Sequence, residues 1–131
     1  MNLLQTLSAP LGRILLAIIF FIAGVNKVFS YQGTQGYMEA FNVSDSLLPL
    51  VIMIEILAGL AVIIGYKVRL AAFILAGFSL VSAFIFHADF TDQMQMILFM
   101  KNLGLAGGLL LLVSHGAGAY ALDNRLESET M

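Results

Sequence analysis

Asn26, Lys27, Glu55, His87, Lys101 and Asn102 can each hold a proton, carry a charge or donate a hydrogen bond, and each lies in or beside a long apolar run. A Lys, Arg or Asp at mid-membrane costs about 2.5–3.5 kcal/mol on insertion scales, so such residues face a protein interior and serve a purpose there. A carboxylate at that depth exchanges protons, while ammonium, imidazole and amide groups donate to a carbonyl. A quinone head group asks for that set: donors at two carbonyls, and a proton relay if the quinone is reduced. Apolar, Phe- and Met-rich surroundings suit an isoprenoid tail. The same groups also suit a transporter, or a buried pair that only specifies the fold while Lys27 and His87 snorkel to water.

Spacing shows where these side chains point. Arg13, Ala17, Phe20, Gly24 and Lys27 form one helical stripe, and Glu55, Ala58 or Gly59, and Val62 form a second. Ala72, Ala76, Ser79, Ala83 and His87 form a third, and Lys101, Gly104 and Gly108 a fourth. Each ionisable residue shares its face with small residues, which mark close helix contact, so Gly24, Gly59, Gly104 and Gly108 are the expected packing positions. Glu55 lies nine residues below Ser46, about 13 Å, and Lys101 eight below Gln93, about 12 Å. Matching depth and opposite charge predict a buried Glu55–Lys101 ion pair, with Asn26, Lys27, His87 and Asn102 completing a polar pocket.

The elements that position them follow from composition. The 131 residues are 60% hydrophobic and 11% charged, too little polar surface to coat a water-soluble globule. Four apolar stretches of membrane-spanning length, about 11–30, 47–65, 69–87 and 93–114, predict an all-α integral membrane protein. Residues 1–131 read as a single domain, an antiparallel four-helix bundle, with the first stretch retained as a span rather than removed as a leader. Arg13, Lys67, Arg69 and Arg125 flank one side, whereas Glu39, Asp45, Asp89 and Asp92 flank the other with Lys27 as its one cation. The positive-inside rule places both termini in the cytoplasm, so the pocket opens toward the outer leaflet. Above it, Tyr37, Met38 and Phe41 would share one side of a short amphipathic helix lying as a lid, or belong to an ordinary ordered loop.

Much chemistry is excluded. With no cysteine, thiolate catalysis, iron–sulfur clusters and covalent haem are ruled out. His87 and His115 fall at opposite faces and cannot share a haem iron, and no metal-ligand spacing is present. Asp89 and Asp92 read as a turn and a helix cap. A net charge of −2 offers nothing to nucleic acid. No phosphate loop, Ser/His/Asp set or dinucleotide fingerprint points to a self-sufficient enzyme. The Gly104-to-Gly108 spacing predicts packing inside the bundle, with a homo-oligomer contact as the alternative.

Over nearly its whole length the chain resembles the DoxX family of small bacterial inner-membrane proteins. The motifs are Gly12-Arg13, Phe20-Phe-Ile-Ala-Gly24-Val-Asn-Lys27, Glu55-Ile-Leu-Ala-Gly59-Leu and Arg69-Leu-Ala-Ala72. They continue with Ala83-Phe-Ile-Phe-His87, Phe99-Met-Lys101-Asn102-Leu and Gly116-Ala-Gly118-Ala-Tyr-Ala-Leu-Asp123. Ala117 departs from the family's usual proline. The first loop is similar to that of the subgroup described as quinol oxidase subunits. The resemblance implies a four-helix inner-membrane protein tied to respiration or redox stress, and it makes Arg13, Lys27, Glu55, His87, Lys101 and Asn102 recurring positions.

Taken together, the expectation is an accessory, quinone-linked oxidoreductase subunit holding ubiquinone, menaquinone or a similar lipophilic molecule, with a soluble or membrane redox partner. A small-solute or proton transporter is the competing class, and a scaffold that recruits soluble redox enzymes is a third.

Overall fold

The computed structural model describes residues 2–130, and its regular elements among them are all helices. Helix α1 (Leu3–Phe29) starts well before residue 11, because the Asn2 side chain accepts from Gln5 N at 2.9 Å and caps it. Pro10 lies inside the helix, where it costs one backbone hydrogen bond in a stretch of mostly exposed residues. The chain breaks at Ser30 and re-forms as α2 (Tyr31–Ala40), whose Met38 is buried against the bundle. The first connection is therefore the amphipathic helix rather than a loop.

The second span, α3 (Asp45–Ile64), is irregular. It opens on a 3-10 turn, Asp45–Leu47, capped by Ser44, and is α-helical over Leu48–Met53 with Pro49 in its first turn. It then widens into a π turn at Ile54–Ala58 and returns to α-helix over Gly59–Ile64. Gly65, at φ +81°, ends it; a side chain there would collide with Ala121. Helix α4 (Val68–Phe86) and α5 (Gln93–His115) complete the four spans, and α6 (Leu122–Thr130) closes the chain. All four long helices are long and apolar enough to cross a membrane.

Packing is paired. α1 lies along α3 and α4 along α5, and the two pairs join where α4 meets the π turn and the last turns of α3. The joint is built from alanines and larger apolar side chains: Ala17 and Phe20 of α1, Val62 of α3, Ala72 and Leu75 of α4, and Leu109 of α5. Beyond the π turn the Leu48–Met53 part of α3 does not approach α4 closely, so the bundle is tight at the end holding the termini and open at the end under α2.

Charge fastens the tight end. Arg13 is 2% exposed and donates to the carbonyls of Ala117, Ala119 and Tyr120 at 2.5, 3.0 and 2.8 Å. Asp123 accepts from the backbone N–H groups of Lys67 (2.6 Å) and Val68 (2.9 Å), capping α4, and Arg69 donates to the last carbonyls of α5. Ala117 is buried, and its carbonyl is one of the three that Arg13 holds.

Candidate functional site

Glu55 lies in the π turn, one residue after its start. Such turns are rare, insert an extra residue into the helix and recur at functional sites. Glu55 is 3% exposed, and its Oε1 lies 2.7 Å from Lys27 Nζ. The approach depends on glycine. A Cβ on Gly24 would lie 2.6 Å from Ile56 Cγ1 and 3.2 Å from the Ile56 backbone nitrogen; one on Gly59 would lie 3.2 Å from Phe21 N. Those two glycines bring α1 against the π turn, and Lys27, three residues beyond Gly24, reaches Glu55.

The expected Glu55–Lys101 pair is therefore corrected to Lys27–Glu55. The α3 face is buried as its spacing predicts, at Glu55, Gly59 and Val62, and Gly24 and Gly59 bring Lys27 to it, whereas the inward face of α5 is turned by one residue. Its buried line is Asn102, Ala106 and Leu109, so Lys101 is exposed and makes no ion pair among the described residues. The same rotation corrects Gly104, which has nothing within 4 Å of its would-be Cβ; Gly108 does touch α1, through Leu16 at 3.3 Å. Asn26 is also corrected: it is exposed and turned away from the site.

The remaining residues gather around one cavity of about 420 Å³ under α2. Lys27, Glu55, His87, Lys101 and Asn102 all line it, with apolar side chains between them. Asn102 is 8% exposed and its Nδ2 donates to the Ser79 carbonyl at 3.2 Å. His87 Nδ1 is 2.8 Å from Gln95 Oε1, which ties the end of α4 to the start of α5. Tyr37, Phe41 and Phe86 form the lid, with ring centroids 5.0–5.4 Å apart, and partial burial pushes the Tyr37 phenol above its ordinary pKa.

Ser79 is a site residue that sequence reasoning passed over. It is 1% exposed, lines the cavity, and its Oγ has no hydrogen-bond partner among the described residues. The signal was present: Ser79 is the one hydroxyl in the Ala72, Ala76, Ser79, Ala83 stripe, all of which is buried. Asp89 and Asp92 are structural. Hydrogen bonds from the Thr91 hydroxyl and backbone N–H hold Asp89 below its ordinary pKa, and Asp92 caps α5 by accepting from Met94 N at 3.0 Å.

The glycines provide a paired test. Gly24→Val should push α1 off the π turn and lower the thermal midpoint by several degrees, since overpacking costs about 1–3 kcal/mol. Gly104→Val, in open space, should leave the midpoint close to wild type. Equal losses at the two positions would refute this account of how α1 and α3 meet.

The chain matches the DoxX family model over residues 9–88. It is 43% identical to Inner membrane protein YqjF of Escherichia coli (strain K12) over 129 residues, covering 98% of this chain and 99% of that one. It is 33% identical to Inner membrane protein YphA of the same strain over 122 residues, covering 88% and 87%. No solved structure matches it.

Proposed function

The chain belongs to the DoxX family of inner-membrane proteins, and from that premise we propose that it binds the head group of a quinone or similar lipophilic molecule in the cavity under α2, as an accessory subunit of a membrane redox system. The observation that carries this reading is the combination in one mostly apolar cavity of a buried carboxylate, its ammonium partner and an unpartnered buried hydroxyl. A cavity of 420 Å³ is within the range of about 300–1,000 Å³ that small-molecule sites occupy.

The residue types fit a quinone. Lys27 and Lys101 donate to the ring carbonyls, and Ser79 and Asn102 fix the ring's depth. Glu55 holds or releases a proton at Oε1, and Lys27 keeps its charge compensated while it does so. When bound, a quinone supplies two-electron, two-proton chemistry, and the electrons come from a soluble or membrane partner. The α2 end faces the outer leaflet and both termini face the cytoplasm, as the distribution of Lys and Arg favours.

A permeation pathway is less well supported. Val62, Ala72, Leu75 and Leu109 are each 0% exposed and fill the half of the bundle beyond the cavity, which makes the cavity blind.

Purification in mild detergent followed by mass spectrometry of the extract tests the reading. Bound quinone near one per chain is expected, with at least tenfold less in Glu55→Gln and Lys101→Met, the loss that corresponds to about 1.4 kcal/mol of binding. Quinone no richer than in an unrelated four-helix membrane protein would overturn it.

A further inference from the structure

The cavity is not closed on all sides. Leu47 and Leu50 of α3 line it while 46% and 53% exposed, and Val81 and Ile85 of α4 line it while 59% and 40% exposed. Each of these four side chains both lines the cavity and reaches the outer surface, so here cavity and surface are separated by no more than one side chain. That place is the gap between the Leu48–Met53 part of α3 and the last turns of α4, which the π turn leaves splayed. The gap faces sideways, within the apolar band of two membrane spans, and its four lip residues are all aliphatic.

The opposite flank differs. There α1 and α5 meet sparsely, but the lip carries Lys101, an exposed cation eight residues inside its span, and Lys27 stands on the same wall. Hydrocarbon laid along that flank would strip water from an ammonium group, which is costly. The α1/α5 flank thus carries two cations among its apolar Ile19, Phe20, Ala23 and Leu105, whereas the four residues of the α3/α4 lip carry none.

We propose that the gap between α3 and α4 is a lateral portal through which a single-tailed amphiphile reaches the site from the bilayer, its head lodged against Lys27, Glu55 and Ser79 and its tail left in lipid between Leu50 and Val81. This rests on the site's being a binding pocket for a lipophilic molecule. It narrows the ligand class to molecules whose polar head fits the cavity and whose chain is too long to enter it, and it excludes small polar solutes that would arrive from water.

The test uses the full chain in nanodiscs with two photoreactive ubiquinone analogues, one bearing a diazirine on the ring and the other at the end of the tail. The ring probe is expected to label the peptides holding Lys27, Glu55 and Ser79, and excess unlabelled ubiquinone should remove that labelling. The tail probe is expected to label residues 47–54 and 78–85, with Leu50 and Val81 dominant. Competed ring labelling with tail adducts on α1 and α5, or spread evenly over both flanks, would overturn the portal and leave the pocket standing. No competed ring labelling in the cavity would bring down the pocket and the portal together.

Discussion

Lys27→Met is expected to destabilise the protein by about 3–5 kcal/mol, the cost of leaving one member of a buried pair without its partner. Glu55 is 3% exposed, and Lys27 is the one cation that pairs with it among the described residues. Glu55→Gln should cost far less. It leaves the charge on Lys27, whose side chain is 28% exposed and can turn to the cavity mouth. The double variant Lys27→Met, Glu55→Gln should recover most of what Lys27→Met alone loses, because no orphaned charge remains. Lys101→Met should change stability by no more than about 0.5 kcal/mol, as an exposed residue outside any ion pair does. Thermal midpoints of the four variants in one detergent check this ordering. A Lys101 variant as damaged as the Lys27 variant would restore the pairing expected from depth alone.

The source of that mistaken pairing shows what a sequence of this kind reveals. Counting residues down two helices places Glu55 and Lys101 at one level, and both do line the same cavity. Depth is legible because the rise per residue barely varies. Azimuth is harder, since one residue of rotation turns a helix by about 100°. On α5 small residues lie on more than one face: Gly104 and Gly107 on open sides, Ala106 on the buried one. A rule that small residues face the bundle cannot choose between these faces. On α3 the expected face is the buried one, Glu55, Gly59 and Val62, but nothing in Ile54-Glu-Ile-Leu-Ala58 announces the π turn. The turn forms where α1, α3 and α4 converge, and so belongs to tertiary packing.

Span ends were more legible. The later three spans agree with 47–65, 69–87 and 93–114 to within about two residues, the usual scatter of helix boundaries, because Ser44, Gly65 and Asp92 mark starts and stops through caps that sequence displays. Ser79 was hidden for the opposite reason. A serine in an alanine stripe reads as a packing residue, and its one sequence signal, a hydroxyl among alanines, gains weight only with the missing partner at its Oγ.

Arg13→Met should produce the other large loss, and at the far end of the bundle. The guanidinium joins three carbonyls of residues 117–120, a segment with no helix of its own and with Gly118 and Tyr120 at φ +76° and +53°. Hydrogen bonds to a charged group are each worth about 1.5–3 kcal/mol, and because the three share one donor the loss should be about 3–5 kcal/mol rather than their sum. Lysine should not substitute well. A single ammonium is a point donor, whereas the planar fork of arginine spans the carbonyls of Ala117, Ala119 and Tyr120. The damage should also travel. Once residues 117–120 are free, Asp123 loses its fixed position and with it the cap on Lys67 and Val68, so the α3–α4 turn loosens too. The expected observation is faster protease cleavage within 116–121 and around 66–68 in Arg13→Met, intermediate cleavage in Arg13→Lys, and wild-type protection of the α2 lid in both. Unchanged protection of the two terminal-end segments would mean that Arg13 is held by the segment without holding it.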